Sequence, residues 1–273
     1  MIFFSGCKIN IGLYVIRKRA DGYHDLETVM FPVRGLCDAI EMIPGDKPGV
    51  EFSSSGLAVD GSVEKNLCVR AYELMRRNYP IGNVKMHLHK HIPRGAGLGG
   101  GSANAACVIK GLSQLFDLKL SLSTMESLAA ELGSDTAFFV ADRPALATGR
   151  GEILSPIELS MKGYRLVIVK PNVGVSTAEA YAHVTPHMPE TALTEQLVQP
   201  VELWKDVIGN DFEMSVFPQY PQIAEIKQQL YEMGALYASM SGSGSAVYGI
   251  FSGDRGVIQA DFLDCFVYQE DMA

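Results

Sequence analysis

Apolar and polar positions alternate from Cys7 to Val15, with Cys7, Ile9, Ile11, Leu13 and Val15 on one side and Lys8, Asn10, Gly12 and Tyr14 on the other. That period of two predicts a half-buried strand whose second face carries an ammonium and an amide one strand step apart. The Asp-Gly pair in "RADGYH" predicts a turn before the apolar run from Val29 to Val33. In "KNLCVRAYELMRRNY", Leu67, Val69 or Ala71, Leu74 and Met75 recur at helical spacing, which predicts an amphipathic helix. Val84, Met86 and Leu88 alternate with Lys85, His87 and His89, a strand that runs straight into "HIPRGAGLGGGSANAACVIKGL". Past its glycines, Ala105, Val108, Ile109, Leu112, Leu115 and Phe116 return to the helical period. Ser123 with Glu126 three residues on predicts a second helix opened by a capping box and stopped at Gly133. Further on, "YRLVIVKP" reads as a buried strand, "FPQYPQIAEIKQQLYEMG" contains a helix, and "ALYASMSGSGSAVYGIF" reads as two strands around Ser-Gly repeats. The stretch with Pro186, Pro189 and Pro200 reads as loop-rich, and Ser155 to Gly163 as a change of domain, which divides the chain into 1–157 and 158–273.

A chain of 273 residues with 47% hydrophobic content buries a real core. A formal charge of −8 repels polyanions, so nucleic-acid partners are disfavoured; the clusters Arg17-Lys18-Arg19 and Lys90, His91, Arg94 are large enough only for a small anion. Five cysteines, odd in number and without a C-x-x-C pair, argue against a disulfide framework or zinc knuckle and fit a reducing cytoplasm. "MIFFSGCKIN" lacks the features of a signal peptide, and no stretch approaches the roughly 20 apolar residues of a membrane span. A soluble, unprocessed, cytoplasmic protein is expected.

A strand, then dense glycine, then a helix of small residues is the arrangement a phosphate needs. Its oxygens reach backbone N–H groups only where side chains are missing, and the helix start adds unpaired donors and partial positive charge. Ser102 is placed either to cap that helix or to offer its hydroxyl to phosphate or Mg²⁺. Gly95, Gly97 and Gly100 also satisfy G-x-G-x-x-G, but the strand before them alternates with charge, and a second helix follows where a parallel strand should come, against a dinucleotide site. No lysine follows the glycines as a Walker A loop requires, so the positive charge must come from elsewhere, Lys8 first. Asp135, just beyond Gly133 and ahead of Ala137-Phe138-Phe139-Val140, is equally a carboxylate at the edge of a dry site or a turn aspartate. His87, His89 and His91 share one strand face; without an acidic or cysteine neighbour they read as a solvated face, and no metal site is assigned.

"PRGAGLGGGSANAA" from Pro93 to Ala106 resembles the P-x-x-x-G-L-G-[GS]-[GS]-S-x-N-A-A loop of the GHMP kinase superfamily, which phosphorylates small metabolites. "KINIGLYVIRKRADGYHDLET" and "LGSDTAFF" around Asp135 narrow the resemblance to its branch acting on a cytidine diphosphate substrate of isoprenoid-precursor synthesis, and "SMSGSGSAVYGIF" is similar to the superfamily's C-terminal glycine motif, all in the expected order. The resemblance implies an α+β, two-domain fold: an N-terminal ribosomal-protein-S5-domain-2-like half, a C-terminal ferredoxin-like half, and the active site in the cleft. It implies transfer of the γ-phosphoryl of ATP to a 2-hydroxyl, with Asp135 as general base and Lys8 holding that carboxylate ionised. ATP is expected at Asn66, Leu67, Lys90, Pro93, Arg94, Gly95, Ala96, Gly97, Leu98, Gly99, Gly100, Gly101, Ser102 and Ala103, with Mg²⁺ carried mostly by the nucleotide. The cytidine end is expected at Asn10, Tyr23, His24, Thr177 and Tyr181, its base sandwiched by aromatic rings. Without the resemblance Tyr23 and His24 are an exposed hairpin tip and Tyr181 a half-buried helix residue. Thr136-Ala137 departs from the more usual Val-Pro after the aspartate. The expected partner is a small molecule, with no nucleic acid and no membrane, and the expected assembly a monomer or weak homodimer. Rival readings are another kinase of the superfamily, for mevalonate-type, homoserine or sugar acceptors, a nicotinamide-dependent oxidoreductase, and a non-catalytic nucleotide sensor.

Overall fold

A computed structural model describes residues 1–59, 61–253 and 262–272. In chain order the elements are β1 (Ile2–Lys18), β2 (His24–Pro44), β3 (Val50–Gly56), α1 (Leu67–Asn78), β4 (Val84–Lys90), α2 (Gly100–Leu115), α3 (Leu122–Ala130), α4 (Phe138–Ala141), β5 (Ala145–Thr148), β6 (Ile153–Pro156), β7 (Tyr164–Lys170), α5 (Thr177–Tyr181), α6 (Leu193–Gln196), α7 (Val201–Val207), α8 (Phe212–Val216), α9 (Pro221–Glu232), β8 (Tyr237–Met240), β9 (Val247–Ser252) and β10 (Phe266–Asp271). This is an α+β chain, as expected. It forms two compact units, each made of separated segments: Met1–Lys8, Pro32–Pro93 and Gly99–Arg143 in the first, Ile9–Phe31, Arg94–Leu98 and Pro144–Ala273 in the second. The stretch Ser155 to Gly163 falls inside the second unit.

In the first unit the later part of β2 pairs antiparallel with β4, and β4 pairs parallel with β3. Ile40 lies opposite Leu88 and Met42 opposite Met86, so the apolar half of each alternation shares one face. All four side chains are buried. Helices α1 and α2 of the same unit bury Tyr72, Leu74, Met75, Val108, Ile109 and Leu112. Gly111 lets α2 approach closely, because a Cβ there would meet Met42 Cε and stand 3.0 Å from the ring of Phe3. In the second unit the early part of β2 pairs with β5, and β5 with β6, all antiparallel. A separate antiparallel sheet has the order β10-β7-β9-β8 and packs Val167, Val169, Met240, Val247 and Phe251 against Ile223, Ile226 and Leu230 of α9.

Three readings of the pattern need correction. The strand around Lys8 is buried on both faces, not one: Lys8 is 3% exposed, Asn10 2% and Tyr14 6%. A covered strand with polar residues on one of its two buried faces looks, in sequence, like a strand half in water. Helix α3 is capped by Ser121, whose side chain accepts from the N–H of Thr124 at 3.1 Å, so the Ser123–Glu126 box does not form. A capping box does close α5, where Ser176 and Glu179 bond each other's main-chain amides at 3.2 and 2.8 Å. The proline-punctuated stretch is not bare loop: it carries α6, α7 and α8, with Trp204 buried and its indole N–H donating to the Gln199 carbonyl at 2.8 Å.

Candidate active site

The first unit brings the proposed base and cation together. Lys8, on β1, and Asp135, in the turn before α4, lie 3.7 Å apart from Nζ to Oδ2. The ammonium is buried while the carboxylate is 34% exposed. Burial pushes the Lys8 pKa down, and the Asp135 charge opposes that shift. Main-chain bonds hold the turn around Asp135, from Thr136 N–H to the Gly133 carbonyl at 3.1 Å and from Phe139 N–H to the Thr136 carbonyl at 3.2 Å. The departure from Val-Pro therefore leaves a closed turn, with Thr136 and Ala137 both buried.

Against this pair stands the start of α2. Gly99 is its N-cap in the left-handed region, φ 70°. A Cβ there would stand 2.8 Å from the Phe139 ring and 3.3 Å from Lys8 Cε, so a bare residue is required twice over. The Ala103 N–H closes the first helical bond to Gly99 at 2.9 Å, and the amides preceding it have no intrahelical acceptor. Ser102, half-buried, does not cap the helix; no side chain does. Asn66 caps α1, accepting from the Cys68 N–H at 2.9 Å, and Leu67 Cδ1 is 3.4 Å from the Cβ position of Gly101. Lys90 Nζ is 3.2 Å from the Cβ position of Gly100. Asn66, Leu67, Lys90 and the segment Gly99 to Ala103 are thus gathered at one helix start, with Pro93 on the approach to it.

The rest of the glycine loop belongs to the second unit and is laid along the Ser-Gly turn between β8 and β9. Ser245 N–H donates to the Gly95 carbonyl at 3.1 Å, Ala246 N–H to the Ala96 carbonyl at 3.2 Å, and Ser241 Oγ to the Gly97 carbonyl at 3.0 Å. Arg94 is exposed and Leu98 buried. A Cβ on Gly97 would overlap the Ser241 carbonyl. Asn10 ties into the same network, its N–H donating to Ser241 Oγ at 3.2 Å and its carbonyl accepting from the Tyr248 hydroxyl at 2.9 Å. The Asn10 amide donates to Thr28 Oγ1 at 3.0 Å.

The aromatic residues of the second unit group differently from the expected sandwich. The His24 ring stacks on Tyr181, centroids 4.7 Å apart and planes 15° from parallel. Phe212 packs its edge on the same tyrosine at 4.7 Å and 77°. Tyr23 is 57% exposed, with the Arg150 guanidinium 5.0 Å above its ring. Thr177 is exposed one helical turn before Tyr181 on α5. His87 is hydrogen-bonded to Ser53 and Ser55, both at 2.8 Å, and His89 to Ser55 at 3.0 Å. No group of three or more His, Cys, Asp or Glu side chains suited to a metal occurs among the described residues, and no helix among them is long and apolar enough to cross a membrane.

Residues that motif reading missed include Asp38, Thr28, Asn210 and Phe212. Asp38 was detectable, since it interrupts the buried alternation of Leu36, Ile40 and Met42 with a charge. Asn210 carries no such signal; its amide donates to the carbonyls of Met240 and Gly242 at 2.8 and 2.9 Å and so fixes the Ser-Gly turn. The G-x-G-x-x-G match loses its dinucleotide reading here, because β4 pairs antiparallel with β2 and α2 is followed by α3, not by a parallel strand.

Comparison with known proteins agrees with this geometry. Residues 66–143 match the family model for the GHMP kinases N terminal domain, and residues 195–268 that for the GHMP kinases C terminal domain. The chain is 48% identical to a 4-diphosphocytidyl-2-C-methyl-D-erythritol kinase of Bacteroides fragilis, over 100% of both chains. It is 49% identical to the protein of that name from Bacteroides thetaiotaomicron, over 96% of each. A crystal structure of a 4-(cytidine 5'-diphospho)-2C-methyl-D-erythritol kinase superposes with a TM-score of 0.76 at 33% identity, covering 93% of this chain and 91% of the other. The chain belongs to the GHMP kinases and, within them, to the 4-diphosphocytidyl-2-C-methyl-D-erythritol kinase family.

Proposed function

We infer that the protein transfers the γ-phosphoryl of ATP to the 2-hydroxyl of 4-diphosphocytidyl-2-C-methyl-D-erythritol, giving the 2-phosphate and ADP. The observation that carries this reading is the Lys8–Asp135 pair set against the bare start of α2. Phosphoryl transfer to an alcohol needs a base for its proton, positive charge near the migrating group, and alignment of the two oxygens. In the first unit Asp135 takes the hydroxyl proton, Lys8 balances charge beside it, and the amides opening α2 receive phosphate oxygens. Mg²⁺ would neutralise the triphosphate. The donors available beside the glycines, the Asp135 carboxylate and the Ser102 hydroxyl, suit an octahedral oxygen-seeking ion bound chiefly to the nucleotide.

In the second unit His24 and Tyr181 hold the cytosine, with Asn10, Thr177 and Tyr23 as further contacts. Phe212 supports Tyr181 from its edge. Stacking on an aromatic ring is worth about 1–3 kcal/mol per base, so Tyr181→Ala raises KM for the acceptor about tenfold or more. KM for ATP stays where it was; an unmoved acceptor KM refutes the base site. Residues 1–157 and 158–273 serve as the two functional halves, in a cytoplasmic monomer or weak homodimer.

The test is an ADP-coupled assay over a panel of acceptors. Turnover is expected with 4-diphosphocytidyl-2-C-methyl-D-erythritol and not with mevalonate or homoserine. Faster turnover of one of the others overturns the acceptor assignment, and tight NAD binding without ATP turnover overturns the kinase.

A further inference from the structure

The inner face of β2 and β4 carries an ion pair whose carboxylate, Asp38, the reaction does not account for. Asp38 lies opposite Lys90, one step along the register from the Ala39–His89 pair. It is fully buried, and its two oxygens are completely engaged. Oδ2 accepts from Lys90 Nζ, while Oδ1 accepts from the main-chain N–H of His91 at 2.7 Å and of Ile92 at 2.8 Å. Those are the residues by which the chain leaves β4 for the glycine loop.

The other side of Lys90 faces Gly100, whose missing side chain leaves 3.2 Å between its Cβ position and Nζ. A cation beside the start of a helix is opposed by the helix dipole and, when buried, by desolvation. A carboxylate behind it offsets both costs, and a phosphate in front of it would use the same charge.

We propose that Asp38 is a positioning residue for the nucleotide: it aims the Lys90 ammonium at the first turn of α2 and sets the direction of the loop through the amides of His91 and Ile92. This rests on the nucleotide reading of the preceding section. Asp38 touches no substrate atom in this scheme. It acts by keeping Lys90 charged and immobile and by fixing where the glycine amides begin.

The test is calorimetric titration of ATP into the parent, Asp38→Asn, Lys90→Met and the double variant, with thermal unfolding and kinetics alongside. Asp38→Asn retains an oxygen for the two amides but places an amide where the ammonium needs an anion. Its Kd for ATP should rise about ten- to hundredfold, the range for a charged hydrogen bond. The acceptor KM and the kcat at saturating ATP should stay within about threefold, a split that loss of structure would not give. The double variant carries no unpaired buried charge, and its Kd should match that of Lys90→Met within about threefold.

A Kd for Asp38→Asn within twofold of the parent, or losses that multiply in the double variant, overturns the proposal. If Asp38→Asn does not fold, Asp38→Glu, which keeps the charge but moves it by one methylene, is judged by the same criterion. A parent that binds ATP yet leaves the acceptor unphosphorylated defeats the acceptor reading alone, and the Kd series still decides this one. A parent that binds no ATP defeats both.

Discussion

Asp135→Asn should lower kcat by about 10²–10⁴, the range lost with a general base, and leave KM for ATP nearly unchanged. The amide is isosteric and the side chain is 34% exposed, so the fold should survive. Two losses combine. The acceptor hydroxyl has no carboxylate to take its proton, and Lys8, buried with its pKa already pushed down, loses the carboxylate 3.7 Å away that does most to oppose that shift. Lys8 in the variant therefore sheds its proton at a lower pH than in the parent. A steady-state measurement of kcat over a pH series checks both effects, and a kcat within tenfold of the parent removes Asp135 from the chemistry.

Gly97→Ala should weaken ATP about tenfold or more and lower the unfolding temperature by about 4–20 °C. The residue has φ +71°, and any Cβ would overlap the Ser241 carbonyl. A left-handed alanine costs about 1–2 kcal/mol, and overpacking against main chain adds about 1–3 kcal/mol. In a chain of this length each kcal/mol is worth about 2–4 °C. The steric push falls on the segment that accepts from Ser241, Ser245 and Ala246, so the glycine loop has to shift as a whole. Differential scanning calorimetry with and without ATP reads both effects; an unshifted melting temperature would show that the close approach is not maintained in solution.

The parts of this site legible in the sequence are those where the period of the pattern changes. Val84, Met86 and Leu88 alternate, glycines interrupt, and Ala105, Val108, Ile109 and Leu112 resume at helical spacing; that succession specified β4, the loop and α2. Lys8 and Asp135 could be nominated by chemical type, but their 3.7 Å separation depends on long-range packing that no local pattern encodes. Helices of four to seven residues, such as α6 and α7, are too short to display a period, so the residues around Trp204 read as loop. The S-x-x-E pattern singled out Ser123; the extended backbone at Ser121 makes it instead the first residue able to turn its hydroxyl onto the helix amides. The pairing of His24 with Tyr181 is likewise a product of tertiary contact, because the two rings come from segments remote in the chain.

The interleaving of the two compact units bears on biosynthesis. The first unit draws its last segment from residues ending at Arg143, and the second cannot form before Pro144 onward has been made, although its earliest segment, Ile9–Phe31, emerges almost at once. Vectorial synthesis therefore holds that early hairpin, and later Arg94–Leu98, without their native neighbours for much of the ribosome's passage along the message. No split of the gene at a single codon would yield both units whole.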